Sequence, residues 1–236
     1  MRRLMWVLTI ACLGWYVWQK SGRRLPFLPS QPSTYTLLLV GLDEGNRADA
    51  IFLVYFNAVS GVQVLIFPRD TFCSGGRKVN ALYKRLGAQG FKSLISQIVH
   101  HPIEGFIAVP FKDLPKFFEQ AFPDGLEIYV PYRLKYADRA GGFSYEIPDG
   151  YQKLSGRELA FYLRDRYSDP FKRGESARVE RWKIFAKAAF KELRKPHNLP
   201  RLPLIASWAY RTFPNDLQLK DFLRLAQAIL KSEDIH

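Results

Sequence analysis

Between Tyr35 and Pro68 the chain is almost wholly apolar, in three runs separated by short polar turns. YTLLLVGL (35–42), AIFLVYFN (50–57) and VQVLIFP (62–68) each have strand length and aliphatic or aromatic content. Ser60-Gly61 joins the second run to the third as a turn. A strand as apolar as the first is buried, so other elements must cover the sheet that it builds. Later segments supply that cover. GFKSLISQIV (90–99) and FKDLPKFFEQAF (111–122), with Pro115 near the start of the second, read as helices. Ser155 and Glu158 form a capping box that opens SGRELAFYLRDRY. ESARVERWKIFAKAAFKELR (175–194) carries an apolar stripe of Val179, Trp182, Phe185, Ala186, Ala189 and Phe190. Further strands are predicted at 104–110, 125–130 and 141–147, and two short helices near 203–212 and 217–231. The expected fold is α/β (α+β): a mixed central β-sheet flanked by helices in an αβα sandwich.

The first residues form a separate unit. Two arginines precede an apolar run of 15 residues from Leu4 to Trp18, and Lys20, Arg23 and Arg24 follow it. The run is shorter than the roughly 20 residues of a full span, but Trp15, Tyr16 and Trp18 suit a membrane interface. No A-x-A site follows, so residues 1–19 are expected to be an uncleaved membrane-anchor helix. Basic residues stand on both sides, and charge does not set the orientation. Residues 20–33, rich in Ser, Pro, Gly and basic residues, read as a tether, and 34–236 as one domain.

Lys and Arg number 35 against 22 Asp and Glu, a formal charge of +13. That balance predicts an anionic partner: nucleic acid, a lipid surface or a phosphorylated substrate. Nucleic acid would be met by basic residues interleaved with exposed aromatics and would need no paired aspartates, and the apolar N-terminus counts against it. The two cysteines, Cys12 and Cys73, lie in unlike contexts that argue against a disulfide, and His100, His101, His197 and His236 show no metal-ligand spacing.

The polar residues of the strand region stand at strand ends. Asp43 follows the first strand, Arg47 and Asp49 precede the second, and Arg69 and Asp70 follow the third. Two successive hairpins bring Asp43, Arg47, Asp49 and Arg69 to one end of the sheet. Two carboxylates there suit a hard cation such as Mg²⁺, which takes one or two carboxylates plus substrate phosphates. The stretch YLRDRYSDPFKRGESARVER (162–181) adds Arg164, Arg166, Arg173, Arg178 and Arg181. Guanidinium forks match phosphate oxygens and stay charged when partly buried. Arg164 and Arg166 can reach one ligand only if their helix ends between them and SDP, while Arg178 and Arg181 share a face near a helix start that favours an anion. Arg173 and Lys172 read as surface charge.

These blocks, in this order, resemble the LytR–CpsA–Psr family of bacterial cell-envelope phosphotransferases over about residues 35 to 190. LLLVGLDEGNRADAIFLV is similar to that family's G-x-D and R-[ST]-D block, IFPRDTF to its P-R-D-T block, and KVNALY to K-I-N-x-A-Y. IPDGYQKLSGRELAFYLRDR and GESARVER resemble its two arginine blocks. The resemblance implies transfer of a glycopolymer from a polyprenyl-pyrophosphate carrier to a peptidoglycan hydroxyl, with Mg²⁺, outside the cytoplasmic membrane. It implies Asp43 and Asp49 as metal ligands, and Asp43 and Arg69 as catalytic residues. It implies Arg47, Arg69, Arg164, Arg166, Arg178 and Arg181 around the pyrophosphate, with Asp70, Lys78 and Asn80 in support. A long apolar slot between sheet and helices would take the prenyl chain. Three positions depart from the pattern: Glu175 for Asp, Ala177 for Gly and Trp182 for Gln. Hydrolysis of the same carrier-linked substrate, and lipid binding without turnover, are the other readings.

Overall fold

The computed structural model describes residues 34–57, 61–73, 76–138, 143–218 and 221. The expected anchor and tether, and most of the helix expected near 217–231, lie outside the described residues. Among the described residues no helix is long and apolar enough to cross a membrane.

The three apolar runs form β1 (Thr34–Leu42), β2 (Ala48–Asn57) and β3 (Gly61–Ile66), paired antiparallel in succession. β6 (Gly105–Pro110) lies parallel to β1 on its other side, so the central sheet is mixed, in the order β3-β2-β1-β6. β4 (Phe72–Cys73) and β5 (Arg77–Lys78) make a small hairpin between β3 and the first helix. That helical segment, α1 (Val79–Val99), is broken at Gly87, whose φ of 66° only glycine takes easily. It begins earlier than the expected 90–99. VNALYKRL already has helical spacing, with Val79, Leu82, Tyr83 and Leu86 apolar.

Side chains alternate across β1. Leu38, Val40 and Leu42 face α1 and pack with Phe91 and Ile95. Tyr35 and Leu37 point to the other face and meet Leu217. A second core lies between α2 (Leu114–Ala121), α3 (Gly156–Arg164), α4 (Glu175–Leu193) and the ribbon of β7 (Leu126–Val130) and β10 (Gly150–Leu154). β8 (Leu134–Asp138) and β9 (Phe143–Ile147) form a further hairpin. β4, β5, β8 and β10 had no counterpart in the sequence reading. Their runs are two to five residues long, and pairing with a neighbour, not periodicity, makes them strands. α5 (Leu202–Thr212) matches the expected helix near 203–212.

The capping box at Ser155 and Glu158 is present, with the Ser155 N–H donating to Glu158 Oε2 at 2.7 Å. The next residue sets how closely α3 meets α2. A Cβ on Gly156 would lie 2.7 Å from Glu119 Cγ and 2.9 Å from Glu119 N, and nearer still to the Pro115 carbonyl oxygen. Gly156→Ala is therefore expected to cost about 1–3 kcal/mol by overpacking, read as a loss of several degrees in Tm by calorimetry.

After α5 the chain turns back along β6. The Ala108 N–H donates to the Pro214 carbonyl at 2.8 Å, and the Phe106 N–H to Asp216 Oδ1 at 2.7 Å. Lys92 Nζ from α1 lies 2.7 Å from Asp216 Oδ2. This segment closes the β6 edge of the sheet.

Candidate anion-binding cleft

The β1–β2 turn is organised by Asp43. Its Oδ1 accepts the N–H of Gly45 at 2.9 Å and of Arg47 at 2.8 Å, while Oδ2 accepts Arg47 Nε at 2.8 Å. Asn46 completes the turn in the left-handed region, with φ of 58°. Arg47 is held above its ordinary value by its hydrogen bond to Asp43, with the charges of Asp43 and Asp49 adding to it.

Asp49, at the start of β2, is buried. β3 returns antiparallel to β2, and Arg69 Nη1 donates to Asp49 Oδ1 at 2.9 Å. From the other side, Arg166 Nη2 donates to Oδ2 at 2.8 Å. Arg166 reaches it because α3 stops at Arg164 and Asp165 leaves the helix with ψ of 140°. Burial alone would raise the Asp49 carboxyl, but Arg69 and Arg166 outweigh it and hold the group below the usual carboxylate value. Asp49 therefore contributes stability at pH above its unfolded value of about 4, and that stability is lost as pH falls through the lower folded value. Thermal melts at stepped pH should show Tm falling on acidification below about pH 4, with a shallower fall in Asp49→Asn.

A cleft of about 510 Å³ opens beside this hub, lined by Arg47, Asp49, Arg69, Asp70, Arg77, Lys78, Asn80, Ala81 and Arg166. Five cationic side chains there stand against two carboxylates. Asp70 is held down chiefly by its hydrogen bond to Lys78, at 2.8 Å. Arg69 Nε is buried and makes no hydrogen bond, and carboxylate oxygens of Asp70 and Glu175 lie 3.6 and 3.8 Å from it. A buried guanidinium donor without a partner is costly.

Thus Arg47, Asp49, Arg69, Asp70, Lys78, Asn80 and Arg166 share one cleft. Arg77 joins them, although its only signal in the sequence is its place beside Lys78. The other candidates stand elsewhere. Asp43 is one side chain removed, behind Arg47. Arg164 is directed to Glu44 at 3.5 Å and lies over the Phe111 ring. Arg178 lies beneath the cleft, 1 % exposed, and donates to the Asp49 carbonyl oxygen at 2.9 Å and to the Glu175 carboxylate. Burial pulls Arg178 down to about 10, and the charge of Arg166 adds to that.

Arg181 is 0 % exposed and does not reach the cleft. Its Nε donates to the Tyr162 carbonyl at 2.9 Å, and its two terminal nitrogens to the Tyr132 hydroxyl and the Asp165 carbonyl. It closes the C-terminal turn of α3, where carbonyls lack helical partners. Arg173 is exposed, as expected of surface charge, and it also holds two carboxylates. It clamps the buried Asp169 at 3.0 Å and reaches Glu180 at 2.9 Å, fixing the loop into α4.

Arg47 is bonded to Asp43, and the charge of Asp49 also acts on it. Among the described residues no group of three or more His, Cys, Asp or Glu gathers to hold a metal. Mg²⁺, which takes its other ligands from water and phosphate, would have to displace guanidinium partners here, Arg47 from Asp43 and Arg69 or Arg166 from Asp49.

A sequence model of the LytR_cpsA_psr family matches residues 19–236, and the chain belongs to that family. No curated protein matches it by sequence. Among solved structures it is similar to protein gbs0355 from Streptococcus agalactiae, with a TM-score of 0.72, 18% identity, and 86% of this chain and 76% of that one covered. TagV of B. subtilis gives a TM-score of 0.70 at 20% identity, with 87% and 84% covered. A structure of TagT bound to LI-WTA gives 0.67 at 18% identity, with 90% and 80% covered. At these identities the likeness is one of fold.

Proposed function

We propose that this chain is a cell-envelope phosphotransferase that moves a glycopolymer from a polyprenyl-pyrophosphate carrier to a peptidoglycan hydroxyl. The observation that carries the reading is the Arg69–Asp49–Arg166 hub in a cationic cleft at one end of a half-covered apolar sheet face. Family membership supports it, as does TagT, a structural neighbour solved with LI-WTA.

In this reading the acceptor oxygen bonds to the sugar-linked phosphorus. The bond from that phosphorus to the bridging oxygen breaks, and polyprenyl phosphate leaves with the electron pair. Arg69 and Arg166, with Lys78 and Arg77 at the rim, bind the non-bridging oxygens and the charge that grows on the leaving phosphate. Asp43 and Asp49 are the residues that would hold Mg²⁺, which when bound neutralises pyrophosphate charge. Asp43, behind Arg47, is the group assigned to accept the hydroxyl proton once Arg47 turns away to the phosphate.

The prenyl chain needs an apolar surface next to the cleft. On the sheet face turned away from α1, Leu39, Phe52, Val54, Ile107 and Val109 are neighbours by register, and all are only half-buried. Phe52 lies three residues along β2 from Asp49. Leu39→Trp, which narrows this face, is expected to weaken a long-chain prenyl donor at least about tenfold by loss of apolar contact while leaving binding of inorganic pyrophosphate unchanged.

The deciding assay incubates the purified chain with a polyprenyl-pyrophosphoryl sugar and Mg²⁺, with and without peptidoglycan fragments. Polyprenyl phosphate release with sugar phosphate joined to the fragments supports transfer. Release with free sugar phosphate replaces transfer by hydrolysis. Tight lipid binding without release overturns both in favour of a carrier-binding protein.

A further inference from the structure

Trp182 sits where the elements that carry the arginines meet. It belongs to α4 and is 7 % exposed. Its indole N–H donates to the Leu163 carbonyl at 3.0 Å, in the last turn of α3 just ahead of Arg164 and Arg166. Its ring packs against Phe52 of β2, with centroids 4.8 Å apart. The Arg178 guanidinium carbon lies 4.4 Å from its centroid. One side chain therefore touches the helix end that delivers Arg166, the strand that delivers Asp49, and the arginine buried beneath both.

Arg178 needs such a neighbour. Its guanidinium is out of water, Glu175 is its carboxylate partner, and Arg69 and Arg166 are like charges close enough to act on it. Its Nε is buried and finds no hydrogen-bond acceptor. An indole face attracts a cation without offering an acceptor atom, and does so better than a phenyl ring. A leucine would fill the space and supply no such face.

We infer that Trp182 is a positioning residue for the anion site: its ring holds the Arg178 guanidinium, and Arg178 in turn holds the Asp49 backbone between Arg69 and Arg166. This rests on the proposed function and deepens it. The geometry of the cleft is set in part by an aromatic side chain that no ligand touches. Of the three departures from the family pattern, Trp182 and Glu175 both contact Arg178 directly.

The test uses the full-length chain in detergent, with Trp182 replaced by mono-, di- and tetrafluorotryptophan, which drain the π face with little change of shape. Trp182→Phe and Trp182→Leu accompany the series. Three quantities are read: the Kd for inorganic pyrophosphate with Mg²⁺, Tm, and the Arg178 Nε–H resonance. Kd should weaken stepwise to about tenfold at the tetrafluoro ring, with Trp182→Phe within about threefold of wild type and Trp182→Leu at least as weak as the tetrafluoro ring. The Arg178 resonance should move in step while Tm stays flat. A flat Kd across the fluorinated series, or a Tm that falls in parallel with it, overturns the inference. Wild-type chain that ignores pyrophosphate would sink the functional reading by itself. In that case a resonance that tracks fluorination supports the Trp182–Arg178 contact, and one that does not move overturns it.

Discussion

Arg181→Ala should lower Tm by about 10 °C, the largest stability loss of any arginine substitution in this chain, because a buried charge network worth about 3–5 kcal/mol is broken. The side chain is fully buried and bonds the carbonyls of Tyr162 and Asp165 and the Tyr132 hydroxyl. Its removal strands these acceptors together with the nearby Asp165 carboxylate, 3.7 Å away. Asp165 keeps Tyr145 Oη–H at 3.0 Å and Ser168 Oγ–H at 2.9 Å, but neither neutralises its charge. Lysine should rescue little, since a point charge does not reach three acceptors in a fork. Thermal denaturation of the two variants checks this. If Arg181 bound the substrate instead, the alanine variant would melt like wild type and lose only turnover.

Arg69→Ala should do the opposite. Turnover in the release assay is expected to fall by roughly 10²–10³, the usual cost of losing a charge-stabilising donor at the reacting centre. The protein should stay folded, with a Tm loss of only a few degrees, because Arg69 is partly exposed and Asp49 keeps Arg166 at 2.8 Å. Calorimetry and the assay run on one preparation separate the two effects. A strongly destabilised Arg69→Ala would assign Arg69 to the architecture and leave Arg166 as the main candidate on the phosphate.

The contrast between these arginines marks where the sequence stops being readable. Strand alternation and hairpin connectivity brought Asp49, Arg47 and Arg69 together, because short antiparallel connections leave little freedom. Arg166 required a helix end, and SDP supplied its signal; Arg164, still within the helix, goes to Glu44 instead. Depth was not legible. Arg178 and Arg181 lie three apart on one helix face in any reading, but whether that face meets solvent, the cleft or the interior depends on what packs against it. The interior won because the free carbonyls at the end of α3 and the backbone of Asp49 are acceptors that guanidinium forks satisfy. Arg173 is surface charge as expected, but its ion pairs were not legible for a related reason. Its partner Asp169 is four residues away, a spacing with meaning only once the loop has folded over it. Strands β8 and β10 lacked a periodic signal of their own and exist because β9 and β7 pair with them.

The segment that closes the β6 edge comes late in the chain. During synthesis the sheet is therefore assembled with that margin bare, and a nascent chain that has not yet released Pro214 to Leu217 presents the free N–H groups of Phe106 and Ala108 as a template for strange strands. Chains shortened ahead of Phe213 should accumulate as aggregates even though every residue of the cleft is present. In this protein a short late segment governs how much of the sheet survives to carry the cleft.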